Sequence, residues 1–75
     1  MSVAVAAVDA LEPYIGRTVA DTCVRATALS IGKTYDTLDA ADLSTLESNI
    51  RQLMSPIAPA ATVDAIIVAI MKGAE

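Results

Sequence analysis

Leu43, Leu46, Ile50, Leu53 and Ile57 recur at spacings of 3, 4, 3 and 4. That rhythm lays all five on one stripe of an α-helix, whereas in a strand they would scatter over both faces. The middle of the chain is therefore helical. Glu47 and Arg51, acid first at i,i+4, support the same helix from another face. Asp39 is a candidate N-cap, and Asp42, three residues on, resembles the acidic partner of a capping box. Ser55-Pro56 and Pro59 end the run or turn it.

Two further segments carry the same periodicity. A first segment, residues 2–29, opens on Ser2 as a reasonable N-cap. Pro13 interrupts it, because an interior proline removes a hydrogen bond and clashes with the preceding turn. The expectation is a lead-in over residues 3–11, a kink or restart near Glu12-Pro13, and a main helix with Ile15, Val19, Cys23 and Ala26 on one face. Asp21 and Arg25 form an acid-first i,i+4 pair on it. Val3-Ala4-Val5 also alternates like a strand, but the chain offers no second strand to pair with it. Gly32 is the expected C′ residue of the first helix, with Lys33 near its C-terminal dipole and a loop over residues 33–38. A last helix from about Thr62 places Val63, Ile66, Ile67 and Ile70 on one side with Met71 beside them, and Gly73 ends it. The short connection holding Pro56 and Pro59 makes the last two helices roughly antiparallel neighbours.

The predicted fold is all-α. It is a single domain over residues 1–75, an up-down bundle of three to four helices whose long first helix is kinked or broken near Pro13. Tyr14 and Tyr35 are the only aromatics, so alanine, leucine, isoleucine and valine must build the core. Tyr14 is expected inside it, and Tyr35 is equally suited to the core or to an interface.

At 75 residues the chain is close to the lower limit for independent folding. Buried apolar area barely offsets an ordering cost of roughly 1.5 kcal/mol per residue. Small domains close this gap with disulfides, metals or association. Cys23 is the only cysteine and histidine is absent, so neither a disulfide nor a Cys/His zinc site is available and association is the device left. A hydrophobic content of 55% points the same way, since a chain with a high surface-to-volume ratio leaves part of its apolar surface uncovered.

Charge excludes several partners. Five bases against nine acids give a net charge of −4, without the clustered lysine and arginine that nucleic acid or an anionic membrane surface requires. Asp9 and Asp64 interrupt the longest apolar stretches, so no run of about 18 uncharged apolar residues is present. The start, Met1-Ser2-Val3-Ala4, lacks the basic region of a secretory signal. With a lone free thiol, a cytoplasmic location is expected.

Nothing in the sequence assembles a catalytic centre. Without histidine there is no serine or cysteine triad, and Cys23 reads as a small buried hydrophobe in mid-helix. Asp36, Asp39 and Asp42 recur every three residues, which is not the alternate-position pattern of a calcium loop; they read as a solvated loop and helix N-terminus. Gly32-Lys33-Thr34 lacks the first glycine of a phosphate loop. No cofactor, metal or small-molecule substrate is expected, and the chain is not read as an enzyme.

The stretch Leu11-Glu12-Pro13-Tyr14-Ile15-Gly16, with Ala20 and Val24 after it, resembles the opening of a small helical accessory domain. That domain lies at the C-terminal ends of bacterial serine/threonine kinases and other signalling proteins. Arg17 stands where that family has proline, and Ala20 and Val24 come one residue late. The resemblance implies a non-catalytic module for protein contacts in signalling.

The functional expectation is a protein–protein interaction module that pairs with a copy of itself or docks on a signalling partner. The apolar residues that a three-helix core most easily leaves uncovered are Val3, Val5 and Val8 of the lead-in and Ile67 and Met71 of the last helix; these form the expected interface. Arg17 is a candidate anchor beside them, since arginine is enriched at interface hot spots. The alternative is an acyl-carrier-type protein whose phosphopantetheine arm would sit on Ser44. Its order Asp42-Leu43-Ser44 departs from the Asp-Ser-Leu of carriers.

Overall fold

The Ser2 hydroxyl accepts the Val5 amide at 3.3 Å and starts the first helix. The computed structural model describes residues 2–74. It contains four α-helices, α1 (Val3–Ile15), α2 (Arg17–Ser30), α3 (Leu43–Met54) and α4 (Ala60–Gly73), with short 3₁₀ turns at Tyr35–Thr37 and Ala40–Asp42. No strand occurs among the described residues, and Val3-Ala4-Val5 lies in α1.

The long first helix is two helices, and the break is not at Pro13. Pro13 sits inside the closing turns of α1, which runs on to Ile15. The chain turns at Gly16, whose φ of 81° and ψ of 160° lie in a region essentially reserved for glycine. Its amide closes α1 on the Glu12 carbonyl at 2.9 Å, and its carbonyl accepts the Ala20 amide at 3.1 Å to open α2. One residue thus serves as both caps.

Gly32 ends α2 as expected. With φ at 73° it lets its own amide reach the Leu29 carbonyl (3.1 Å) and the Lys33 amide reach that of Ala28 (2.8 Å), the bond pattern of a Schellman motif. Asp39 and Asp42 form the expected reciprocal cap: the Asp39 carboxylate accepts the Ala41 amide at 2.9 Å, and Asp42 accepts the Asp39 amide at 3.0 Å. The turn they close is 3₁₀ and leads straight into α3. Asp42 is not solvated, however. Its side chain is 12% exposed, and Lys33 Nζ lies 2.7 Å from Oδ2. Lys33 reaches across the loop instead of serving only the end of α2.

α1 packs against both α2 and α4, and α3 closes the ring by touching the same two helices. Leu11, Val8, Val24, Leu46, Ile50, Met54 and Ile66 fill the centre. Four enclosed alanines, Ala4, Ala7, Ala20 and Ala28, keep α1 and α2 slim on their inner faces. Gly73 does the same for α4: a Cβ there would lie 3.0 Å from Ala6 Cβ of α1.

Three faces differ from the sequence expectation. On α3 the buried line is Leu46, Ile50 and Met54, while Ile57 is exposed beyond the helix end. A straight helix of 3.6 residues per turn drifts off a 3-4-3-4 stripe, and Ser55-Pro56 ends it before Ile57 comes round. On α2 the buried residues are Ala20, Val24, Thr27 and Ala28, not the Val19–Cys23–Ala26 line. Ile15, which sets the phase of that line, belongs to a different helix. Tyr14 is exposed rather than in the core. On α4, Val63, Ile66, Ile67 and Ile70 are all buried, as their spacing predicts.

Candidate functional site

The residues expected to form an interface do not form one surface. Val3, Val8 and Ile67 are buried in the core, because α1 is a central helix and not an appendage to a three-helix bundle. Val5 and Met71 are partly exposed, at 39% and 42%. Met71 closes a void of about 10 Å³ against Leu43, Leu46 and Ile50, which has room for one water at most. Arg17 is exposed beside the Gly16 corner and engaged within its own chain, to Glu12 at 3.0 Å and Asp9 at 3.7 Å. Ser44 is exposed in the first turn of α3.

The misassigned face of α2 leads elsewhere. Val19, Thr22, Cys23, Ala26 and Thr27 of α2 and Asn49, Gln52 and Leu53 of α3 line an open groove of about 500 Å³. Its floor is tied across the two helices. Asn49 Nδ2 donates to Thr27 Oγ1 at 3.0 Å, and the Thr27 hydroxyl donates to the Cys23 carbonyl at 3.0 Å. Thr27 is fully buried, so the pairing also satisfies its hydroxyl. Val19, Thr22, Ala26 and Gln52 are exposed along the rims.

Among the described residues no carboxylate, ammonium or guanidinium lines the groove. The charged side chains pair on other sides of the helices. Arg25 pairs with Asp21 at 2.7 Å and lies 4.5 Å from the centre of the Tyr35 ring, on another side of α2. Arg51 joins Glu47 (3.0 Å) to Asp64 (2.8 Å) on the side of α3 that meets α4. Lys33 is held by Asp42 and, at 3.5 Å, by Asp39.

The groove holds one reactive atom type, the Cys23 thiol. Burial pushes its pKa up, which keeps it in the unreactive thiol form. Among the described residues no group of three or more metal-ligating side chains comes together, and no helix is long and apolar enough to cross a membrane. The groove therefore offers shape, apolar contact and neutral hydrogen bonding. Thr22, Asn49 and Gln52 carry no apolar or catalytic signal of their own in the sequence. The available signal was a lack of charge: Thr45, Ser48, Asn49 and Gln52 share one side of α3.

No protein-family model matches the chain, and neither a curated protein nor a solved structure is similar to it at a significant level.

Proposed function

We propose that the chain is a non-catalytic protein-contact module that binds a helical segment of another chain in the α2–α3 groove. The observation that carries this reading is the combination of an open groove of about 500 Å³ with walls free of charge, in a protein with fourteen charged residues. Charged groups are depleted at interface cores because their desolvation is costly. A furrow between two helices is the shape into which an amphipathic helix lays its apolar face. Val19, Ala26 and Leu53 supply apolar contact, and Gln52 with Thr22 supplies neutral hydrogen bonds at the rim. A raised thiol pKa at Cys23 and the lack of histidine argue against chemistry at the same place. The likeness of the stretch from Leu11 to Gly16 to a signalling accessory domain is compatible with this role.

The test is selection of helical peptides on the immobilised protein, followed by mapping of amide shifts on adding a selected peptide. The expected result is perturbation centred on Val19, Cys23, Ala26 and Gln52, abolished by Ala26→Asp. Shifts centred on Val68 and Met71, or failure to select any binder, would overturn the reading.

A further inference from the structure

We propose that the groove's occupant is a second copy of this chain, related by a twofold axis, so that the Val19–Thr22–Ala26 ridge of each copy enters the groove of the other. The proposal rests on the reading of the groove as a protein-contact surface. Charge is compatible with that partner. Two identical chains of net charge −4 repel, and a self-contact near a twofold axis sets like against like wherever the face carries an unpaired charge. The groove walls carry none. Asp21 and Arg25 on α2 neutralise each other within the copy, and Arg51 of α3 is shared by Glu47 and Asp64 on the side that meets α4.

Hydrogen bonding is self-complementary in the same sense. An isologous contact needs groups that match themselves, and an amide, with both donor and acceptor, does so where a carboxylate or ammonium does not. Gln52 is exposed and places an amide on the rim. Asn49 has committed Nδ2 to Thr27, and its Oδ1 is left as an acceptor. Val19, Thr22 and Ala26 recur at helical spacing as an exposed ridge of modest side chains, suited to packing into the furrow of a facing helix.

Size sets the strength. Two helices about 20 Å long and 10 Å wide present about 400 Å² in projection. A standard interface takes about 800 Å² from each partner, about a fifth of this chain's 4168 Å² surface. The contact falls at the small end, among weak and transient interfaces.

The experiment is light scattering on the full chain over a dilution series up to about 1 mM, a concentration at which even weak contacts are populated. The wild type is expected to rise from one to two copies. Ala26→Asp and Gln52→Asp, both at exposed positions, are expected to stay at one copy with unchanged helical circular dichroism. Leu29→Asp, on α2 but outside the groove, and Met71→Asp are expected to dimerise as the wild type does. A monomer at every concentration, a dimer that survives both groove substitutions, or an assembly larger than two overturns the proposal. A monomer that still binds the selected helical peptides overturns self-pairing alone. One that binds none overturns the groove reading with it.

Discussion

Asn49 and Thr27, one on α3 and one on α2, meet through a 3.0 Å hydrogen bond on the floor of the groove. It is the polar tie between two helices that otherwise touch through apolar side chains. Thr27→Val keeps the shape and removes the acceptor, leaving the Asn49 amide to find water in the half-open groove. The expected loss is about 1 kcal/mol in urea unfolding, toward the low end of the cost of an unsatisfied buried donor. Asn49→Ala in the Thr27→Val background is expected to cost less than Asn49→Ala alone. Equal costs in the two backgrounds would show that the bond carries no coupling energy.

Asp42 gives the fold an acid-sensitive joint. Its hydrogen bond with Lys33, then the Asp39 amide, hold its pKa below the ordinary aspartate value. A depressed folded pKa contributes stability above the unfolded value of about 4, and loses it as pH falls through the folded value. Lys33, whose pKa is raised chiefly by the same bond, contributes below about 10.4 and loses its share as pH rises through its folded value. The difference in urea midpoint between wild type and Asp42→Asn is therefore expected to be largest near neutrality and to shrink at both extremes. A difference that stays constant from neutral to acid pH would contradict this account.

Gly16 makes the corner between α1 and α2 alone. A Cβ there meets nothing within 4 Å, so the penalty for Gly16→Ala is purely one of backbone conformation. With φ at 81° and ψ at 160° the expected destabilisation is about 1–3 kcal/mol, read from thermal or urea unfolding. D-alanine at the same position, introduced by chemical synthesis, is expected to restore most of it. A neutral Gly16→Ala would mean that the corner can be built another way.

The two ends of the α3 stripe should behave oppositely. Ile50 is fully buried, and Ile50→Ala is expected to cost about 2–5 kcal/mol. Ile57 is 59% exposed past the helix end, and Ile57→Ala is expected to stay within about 0.5 kcal/mol of wild type. Comparable losses at both sites would restore the longer stripe that the spacing alone suggests.

Local signals were the legible ones. Gly32, the Asp39–Asp42 cap and the isoleucine line of α4 are each decided by residues within a turn or two of one another. What was not legible depended on phase or on distant partners. A helix face can be read only if the helix starts where it is supposed to, and the Gly16 corner reset the register of α2. Val3 and Val8 are surplus only to a three-helix core, and the enclosed alanines of α1 make it the helix on which α2 and α4 both settle. Asp42 looked like one acid among three until Lys33, nine residues earlier, reached it. The residues of the groove are individually bland. What marks them is shared neutrality, a property of a surface and not of any short stretch of sequence.

The near-contact between Ala6 and the bare Cα of Gly73 joins the second turn of the chain to the last turn of its final helix. The protein is thereby almost a ring. A chain reordered so that Ala74 runs through a short Gly-Ser tether into Ser2, with new termini in the 55–59 connection, would part no pair of packed helices. Such a circular permutant would keep every helix-to-helix seam and change only the order in which they form during folding. Position 73 would remain the point where a single added methyl group decides how closely that ring can shut.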